Sequence, residues 1–170
     1  DWRPHRQQSG ALCMHAADNL FRPSATTGSL VAVLKPDPIV YVTGAANPCL
    51  SPFFPVKVEE GGLPPDYAPA GADYQEDAWW WFAEKYHRRA LPRFASAHAA
   101  AMNAIFPFET EMLADTAGGA DRPRVEKWFG AARELVGKWG ESLALMPEEK
   151  LPFLYRRYWA KRNRWNKLGA

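Results

Sequence analysis

The sequence predicts an α+β protein in which a short β-rich part precedes a longer helical part. Short apolar or β-branched runs bounded by Gly, Pro and Asp occur within residues 1–58. A Gly- and Pro-rich loop follows over 59–76. From 77 to 170 the apolar residues recur every three or four positions, which indicates amphipathic helices. We therefore expect a single domain or subunit made of these three parts.

Three strands are predicted in the first part, over 11–16, 28–34 and 39–44. The last two should form a hairpin, because the link "KPDP" between them has turn chemistry. The segment 47–56 contains three prolines, so we expect it to be extended but irregular. Three strands can hardly cover one face of so many helices. The sheet should therefore be completed by strands that this chain lacks, and the domain is predicted to be incomplete.

Four helices are predicted in the last part, within 77–91, 94–112, 121–140 and 146–169. Pro107 should kink or interrupt the second, since proline removes a backbone donor. In the third, Asp121 is a candidate N-cap and Gly140 a natural stop. In the fourth, Glu148 and Glu149 stand near the start and cations near the end, which suits the helix dipole. The triplet Trp79–Trp81 cannot all face one way, so at least one ring should line a pocket or contact another helix or subunit.

Composition points away from secreted and membrane-spanning proteins. Two cysteines in 170 residues do not make a disulfide framework, so a reducing compartment, the cytoplasm, is expected. No stretch approaches the ~18 consecutive apolar residues that span a bilayer. The sequence opens on Asp1 rather than Met, and a polar segment precedes the first strand-like run. We therefore expect a piece of a longer protein.

Charge is distributed unevenly along the chain. From Lys150 onward there are seven basic and no acidic residues, whereas residues 1–149 carry a net charge of −5. With its aromatic residues this tail could bind a nucleic-acid backbone or an anionic membrane. Alternatively it is a solvated helix face whose charge is matched by the acidic body or by a partner chain. We favour the second interpretation, because the helix dipole explains part of the bias, and we do not expect nucleic acid or membrane as partners.

Cys13 and His15 are the first candidates for chemistry. In a strand, residues two apart point to the same face roughly 6–7 Å apart, and the pair could be a cysteine nucleophile and its base. Alternatively, Cys13 is a small buried hydrophobe and His15 a hydrogen-bonding residue at a strand end. A zinc site would need about four ligands, and no Cys/His cluster elsewhere in the sequence supplies the others. We therefore expect no metal and no cofactor.

Two polar loops follow strand-like runs or lead into them. "SATTGS" at 24–29 offers hydroxyls and backbone amides to a carboxylate or carbonyl oxygen, and it could equally be a polar loop entering a strand. "TGAANPC" at 43–49 ends a strand, where sites are commonly built. Its Asn47 could donate to a developing oxyanion or could simply form an Asn-Pro turn.

Four segments taken in order carry a family resemblance: "ALCMHA", "SATTGSLVAVL", "YVTGAANPCLSPFFPV" and "DAWWWFAEKYHRRAL". Together they resemble the C-terminal part of the secernin and bacterial dipeptidase-A type of N-terminal-nucleophile cysteine hydrolases. The resemblance covers residues 10 to about 95. Each motif alone has little specificity, and their order carries the likeness.

The resemblance implies an αββα sandwich, in which two sheets stack between helical layers. In that family the nucleophile is a cysteine at the N-terminus of the mature chain, with its own α-amine as the base. This sequence departs from the pattern, because Cys13 and Cys49 are both internal. The resemblance therefore implies that the nucleophile lies upstream and that this chain has no catalytic residue of its own. The residues it suggests for the wall of a substrate pocket are His15, Thr26, Thr27, Ser29, Thr43 and Asn47.

The expected function is that of a C-terminal fragment or subunit of a dipeptidase-like amide-bond hydrolase, inactive alone. Its substrate would be a peptide or small amide, and a partner segment or a homo-oligomer would complete the sheet. The alternative is a binding or assembly module whose basic aromatic C-terminal helix contacts a partner subunit, nucleic acid or anionic membrane. A third possibility is a small domain without activity that forms homodimers to cover its sheet edge.

Overall fold

The computed structural model describes residues 3–6, 13–34, 38–57, 62–64, 67 and 69–169. Within them lie three strands, β1 (Leu30–Val33), β2 (Ile39–Val42) and β3 (Phe54–Val56). Four α-helices follow: α1 (Trp79–Ala90), α2 (Phe94–Thr116), α3 (Arg122–Ser142) and α4 (Phe153–Trp165). The α+β class is confirmed. No described helix is both long enough and apolar enough to pass through a membrane.

The strands form an antiparallel sheet in the order β1-β2-β3, and the predicted hairpin of β1 and β2 is confirmed. The predicted strand over 11–16 is not found among the described residues, and a different strand completes the set of three. Residues 13–16 contain no strand, while residues 11 and 12 lie outside the described part of the chain. Instead β3 comes from the proline-rich segment and pairs with β2. Pro55 is tolerated there because β3 lies at an edge of the described sheet, where a missing backbone donor need not break the ladder.

Helix α2 runs through Pro107 without interruption. Buried residues stand on both sides of the proline: Ile105 precedes it, and Phe108 and Met112 follow. Their packing against the core holds both halves of the helix in place, which offsets the backbone hydrogen bond that the proline removes.

Helix α3 begins as predicted and ends later. Asp121 is its N-cap, and its Oδ1 accepts from the Arg124 backbone N–H at 3.1 Å. The helix continues past Gly140 to Ser142. Gly140 is buried against α1, where the Tyr86 ring occupies the space of a side chain. Close packing, rather than a helix stop, explains the glycine.

Gly140→Ala is expected to lower the free energy of unfolding by about 1–3 kcal/mol. Alanine normally stabilises a helix interior by about 1 kcal/mol relative to glycine, but here its Cβ would overlap the ring carbons of Tyr86. Gly130→Ala is the matched control, since a Cβ at this position of α3 meets nothing within 4 Å. Urea denaturation should show the control stabilised and Gly140→Ala destabilised. Stabilisation of both would contradict the packing described.

Helix α4 starts later than predicted, so Glu148 and Glu149 precede it. Their carboxylates instead form ion pairs with Arg93 and Arg3. Some of the C-terminal cations are also engaged: Lys167 pairs with Asp73. An exposed row at four-residue spacing remains on α4, formed by Phe153, Arg157, Lys161 and Trp165. Binding of a partner by the C-terminal helix stays the alternative prediction.

An aromatic cluster joins the sheet to the helices. The ring of Phe54 in β3 lies 5.0 Å from that of Phe129 in α3 and 5.7 Å from that of Trp79 in α1, measured between centroids. Trp79 and Phe129 are 5.5 Å apart. All three are buried. This cluster fixes α1 against the end of the sheet, where the polar loops meet.

Candidate functional site

Thr26 holds the segment before β1 to the loop after β2. Its backbone N–H donates to the Met14 carbonyl, and its hydroxyl oxygen accepts from the Met14 N–H, both at 2.9 Å. The Thr26 carbonyl accepts from the Asn47 backbone N–H at 2.8 Å. The backbone and the hydroxyl of Thr26 therefore contribute to the framework of the site.

Ser29 and Thr43 form a second link between the same two segments. The Thr43 N–H donates to the Ser29 carbonyl at 3.1 Å, and the Ser29 N–H donates to the Thr43 hydroxyl oxygen at 3.0 Å. Thr43 is fully buried, and its carbonyl accepts from the indole N–H of Trp79 at 2.7 Å. This link continues the framework into α1.

Asn47 reverses the chain beside α1. Its φ of 56° and ψ of 71° lie in the left-handed region, which asparagine tolerates better than most residues. A short 3-10 turn, Pro48–Leu50, follows at once. This geometry carries Cys49 back towards the segment that holds Cys13 and His15.

The three side chains of Cys13, His15 and Cys49 meet in a cluster. His15 Nε2 lies 3.7 Å from Cys13 Sγ and 3.4 Å from Cys49 Sγ. These three atoms all lie within 4.8 Å of one another. His15 is buried and the two cysteines are half-buried. Both thiols are free of a disulfide.

The pKa values of the two thiols in the cluster are shifted in opposite directions. A hydrogen bond from Cys49 lowers the pKa of Cys13 to about 4, against the effect of burial and with a smaller contribution from His15. The Cys13 thiolate, followed by burial, raises the pKa of the Cys49 thiol. Burial lowers the pKa of His15, so its imidazole is neutral at neutral pH. A thiol of lowered pKa beside an imidazole of lowered pKa suits either nucleophilic attack or metal coordination.

A second polar group adjoins the cluster through the rings of His15 and His87, whose centroids are 6.0 Å apart. His87 Nδ1 lies 2.9 Å from Glu84 Oε2 and 3.0 Å from Asn47 Nδ2. The carboxylate can only accept, so Nδ1 of His87 carries a proton and donates it to Glu84, and the contact with the Asn47 amide nitrogen, itself a donor, is not a hydrogen bond. Glu84 also accepts from Arg88 Nε at 2.6 Å.

A cleft of about 560 Å³ opens beside these residues. Its wall includes Ala16 and Ala46, the chain neighbours of His15 and Asn47, together with Glu84 of the buried polar group. Trp80 and Trp81 also line it, whereas Trp79 lies in the core. The expectation that at least one ring of the triplet lines a pocket or contacts another helix or subunit is confirmed.

The six residues suggested as a pocket wall occupy different positions. Thr27 is exposed and lines the cleft. Thr26, Ser29 and Thr43 form the framework behind it. His15 and Asn47 are buried between the framework and α1.

Sequence reasoning did not single out Glu84, His87 and Arg88 as site residues. Their spacing could have indicated them, because His87 and Arg88 stand three and four positions after Glu84 on a helix, where such side chains are neighbours.

Comparisons with known proteins found no relative of this chain. No protein-family model matches the chain, and no curated protein and no solved structure shows significant similarity to it. The resemblance to the secernin and dipeptidase-A type of hydrolase therefore depends on the ordered motifs alone and stays a proposal.

Proposed function

We propose that this chain is part of a dipeptidase-like amide-bond hydrolase, to which it supplies framework and pocket wall while another segment supplies the nucleophile. The observation that carries the proposal is the joining of the four motif segments into one hydrogen-bonded unit. Thr26 joins the first and second, Asn47 joins the second and third, and Trp79 joins the third to the helix. Segments up to about 65 residues apart thus build one local structure, which accords with motifs belonging to one site.

Strand β1 supports the earlier expectation that strands of another segment complete the sheet. Side chains of adjacent residues in a strand point to opposite faces. Leu30, Val31 and Val33 nevertheless are each 44–63% exposed, so described residues cover neither face of β1. One edge of this strand pairs with β2 and the other pairs with no described strand. An apolar edge strand of this kind is ordinarily covered, as further strands of a layered sandwich would do.

Two buried polar atoms behind the wall of the cleft lack partners. Asn47 Oδ1 and His87 Nε2 have no hydrogen-bond partner among the described residues. A buried polar group without a partner costs about 1–3 kcal/mol. Neither residue lines the cleft, so a substrate amide or a group of the covering segment would offset that cost only by displacing part of the wall.

The nucleophile is assigned to another segment because neither cysteine here has a free α-amine beside it. Cys13 and Cys49 are internal residues of the chain. In the family that the motifs resemble, the α-amine of the cysteine is the base. The competing candidate within the chain is Cys13, whose lowered pKa and contact with His15 suit a thiolate nucleophile.

Reconstitution distinguishes these two assignments. The chain alone should release no amino acids from a panel of dipeptides, as followed by chromatography. Co-expression with the segment encoded directly upstream should give hydrolysis, and changing the first cysteine of that mature segment to serine should abolish it. Hydrolysis by the chain alone that Cys13→Ala abolishes would overturn the proposed origin of the nucleophile. An upstream segment with no cysteine at a mature N-terminus would overturn the proposal itself.

A further inference from the structure

We propose that Cys13, His15 and Cys49 form a zinc-binding site, with two thiolate sulfurs and one imidazole nitrogen as ligands. The inference does not depend on the proposed hydrolase function. The sequence offered only a Cys-x-His pair and no further ligand nearby, and for that reason no metal was expected. Folding brings Cys49 from 34 positions along the chain to the same imidazole nitrogen.

The distances within the cluster suit tetrahedral coordination. With Zn–S near 2.3 Å and Zn–N near 2.0–2.1 Å, the sulfur and nitrogen ligands of a tetrahedral zinc ion are about 3.6 Å apart. The two observed Sγ–Nε2 distances, 3.7 Å and 3.4 Å, lie within about 0.2 Å of that value. Two sulfur ligands would be about 3.8 Å apart, and the cluster keeps its three atoms within 4.8 Å. Zinc would enter with little rearrangement.

A bound zinc ion would explain the closeness of both sulfurs to His15 Nε2 more fully than hydrogen bonds alone do. In a neutral imidazole Nε2 serves as one donor or as one acceptor, according to the tautomer, yet two sulfurs lie close to this atom. A zinc ion would accept electron pairs from all three atoms at once. The ligand set also suits this metal, because thiolate and imidazole favour zinc over the oxygen-seeking ions Ca²⁺ and Mg²⁺.

The surroundings hold the ligands in place and allow an ion to enter. The bonds between Thr26 and Met14 fix the segment between Cys13 and His15. The His15 ring meets the Phe94 ring edge-on at 5.5 Å, which restricts its rotation. Both cysteines are only half-buried, so the cluster is accessible from solvent. Two thiolates would also neutralise the charge of the ion.

Three protein ligands would leave one of the four positions of the zinc ion open. This is the pattern of catalytic rather than structural zinc sites, where a water molecule or a substrate atom takes the fourth place. The adjoining cleft passes the chain neighbour of His15. None of the three ligands lines the cleft itself, so the fourth ligand is expected to be a water molecule or a small group that arrives on the side of the half-buried cysteines.

Cobalt and zinc titrations of the reduced full chain test the site. Co²⁺ should give a thiolate-to-metal charge-transfer band and the intense ligand-field bands of tetrahedral cobalt, saturating at one ion per chain, and Zn²⁺ should abolish them. Cys13→Ser and Cys49→Ser should each remove the charge-transfer intensity that their sulfur contributes. Each should weaken Zn²⁺ binding by more than about a hundredfold in competition with a chromophoric chelator, because even residues behind metal ligands contribute about 10–100-fold.

A histidine variant away from the cluster provides the control. His5 packs against Tyr155, so His5→Gln should bind Co²⁺ as the wild type does. His15→Gln should lose binding, and if this buried substitution prevents folding the two serine variants still decide the question. Zn²⁺ should raise the thermal midpoint of the wild type and of His5→Gln only. No charge-transfer band in the reduced wild type, or a band that both serine variants retain, would overturn the site.

Discussion

Glu84→Gln is expected to lower the free energy of unfolding by about 3–5 kcal/mol, the cost of breaking a buried ion pair from one side. The Glu84 side chain is 4% exposed, and its carboxylate accepts from both Arg88 and His87. Glutamine keeps the size of the side chain and removes its charge. The Arg88 guanidinium, 7% exposed, would then be buried without its counter-ion.

The loss should extend beyond α1, because Arg88 also holds α4. Its Nη1 and Nη2 donate to Oδ1 of Asn163 and of Asn166, both at 3.0 Å. Weaker anchoring of Arg88 should therefore loosen the C-terminal helix. Urea denaturation gives the free energy, and amide hydrogen exchange should show reduced protection in α4.

Glu134→Gln is the matched control for this variant. Glu134 also pairs with a cation four residues on, Lys138, but both side chains are largely exposed on α3. Exposed pairs of this kind contribute little to stability, so no measurable change is expected. Equal losses for the two variants would show that burial does not decide the effect.

The ion pair of Glu84 should also make the stability of the protein depend on pH in the acid range. Burial alone would raise the pKa of Glu84, but the charges and hydrogen bonds of His87 and Arg88 outweigh it and lower that pKa. A carboxyl whose folded pKa lies below its unfolded value stabilises the protein above the unfolded pKa, near 4.3. This contribution is lost as the pH falls through the folded pKa. The thermal midpoint of the wild type should therefore fall more steeply below about pH 4 than that of Glu84→Gln.

Elements with local signals could be predicted from the sequence, and those that depend on distant pairing could not. The β1–β2 hairpin has its turn between its strands, and α3 has its N-cap at Asp121. Strand β3 has no such signal, because Pro52 and Pro55 indicate an irregular segment. Its strand geometry comes from pairing with β2. The continuity of α2 through Pro107 likewise depends on packing that helix propensity does not contain.

The candidate site divides in the same way. The two-residue spacing of Cys13 and His15 predicted that their side chains share one face. The structure brings the Cys13 sulfur and the His15 ring closer together than a strand would. Cys49 reaches them only because Asn47 adopts a left-handed backbone conformation and reverses the chain. No pattern of neighbouring residues predicts that reversal. The Glu84 and His87 spacing predicts contact on one helix face. It cannot predict burial, which depends on Trp159 of α4, whose ring lies 5.6 Å from that of His87.

Trp79→Ala is expected to lower the free energy of unfolding by about 3–5 kcal/mol, the range for removing a large buried ring. The ring is fully buried against Phe54 and Phe129. Its indole N–H donates to the Thr43 carbonyl at 2.7 Å. Alanine would leave a cavity between the sheet and α3. It would also leave a buried carbonyl unpaired at the start of the loop that leads to Asn47.

Two further variants separate these contributions to stability. Trp79→Phe keeps a ring and loses the donor, so it should cost about 1–3 kcal/mol. Trp80→Ala removes the adjacent ring, which is only partly buried in the wall of the cleft, and should cost the least. Urea denaturation should rank the losses in that order, and equal losses for Trp79→Ala and Trp80→Ala would contradict the packing. Because Thr43 begins the loop that places Cys49 beside His15, Trp79→Ala should also weaken Co²⁺ binding more than Trp80→Ala does.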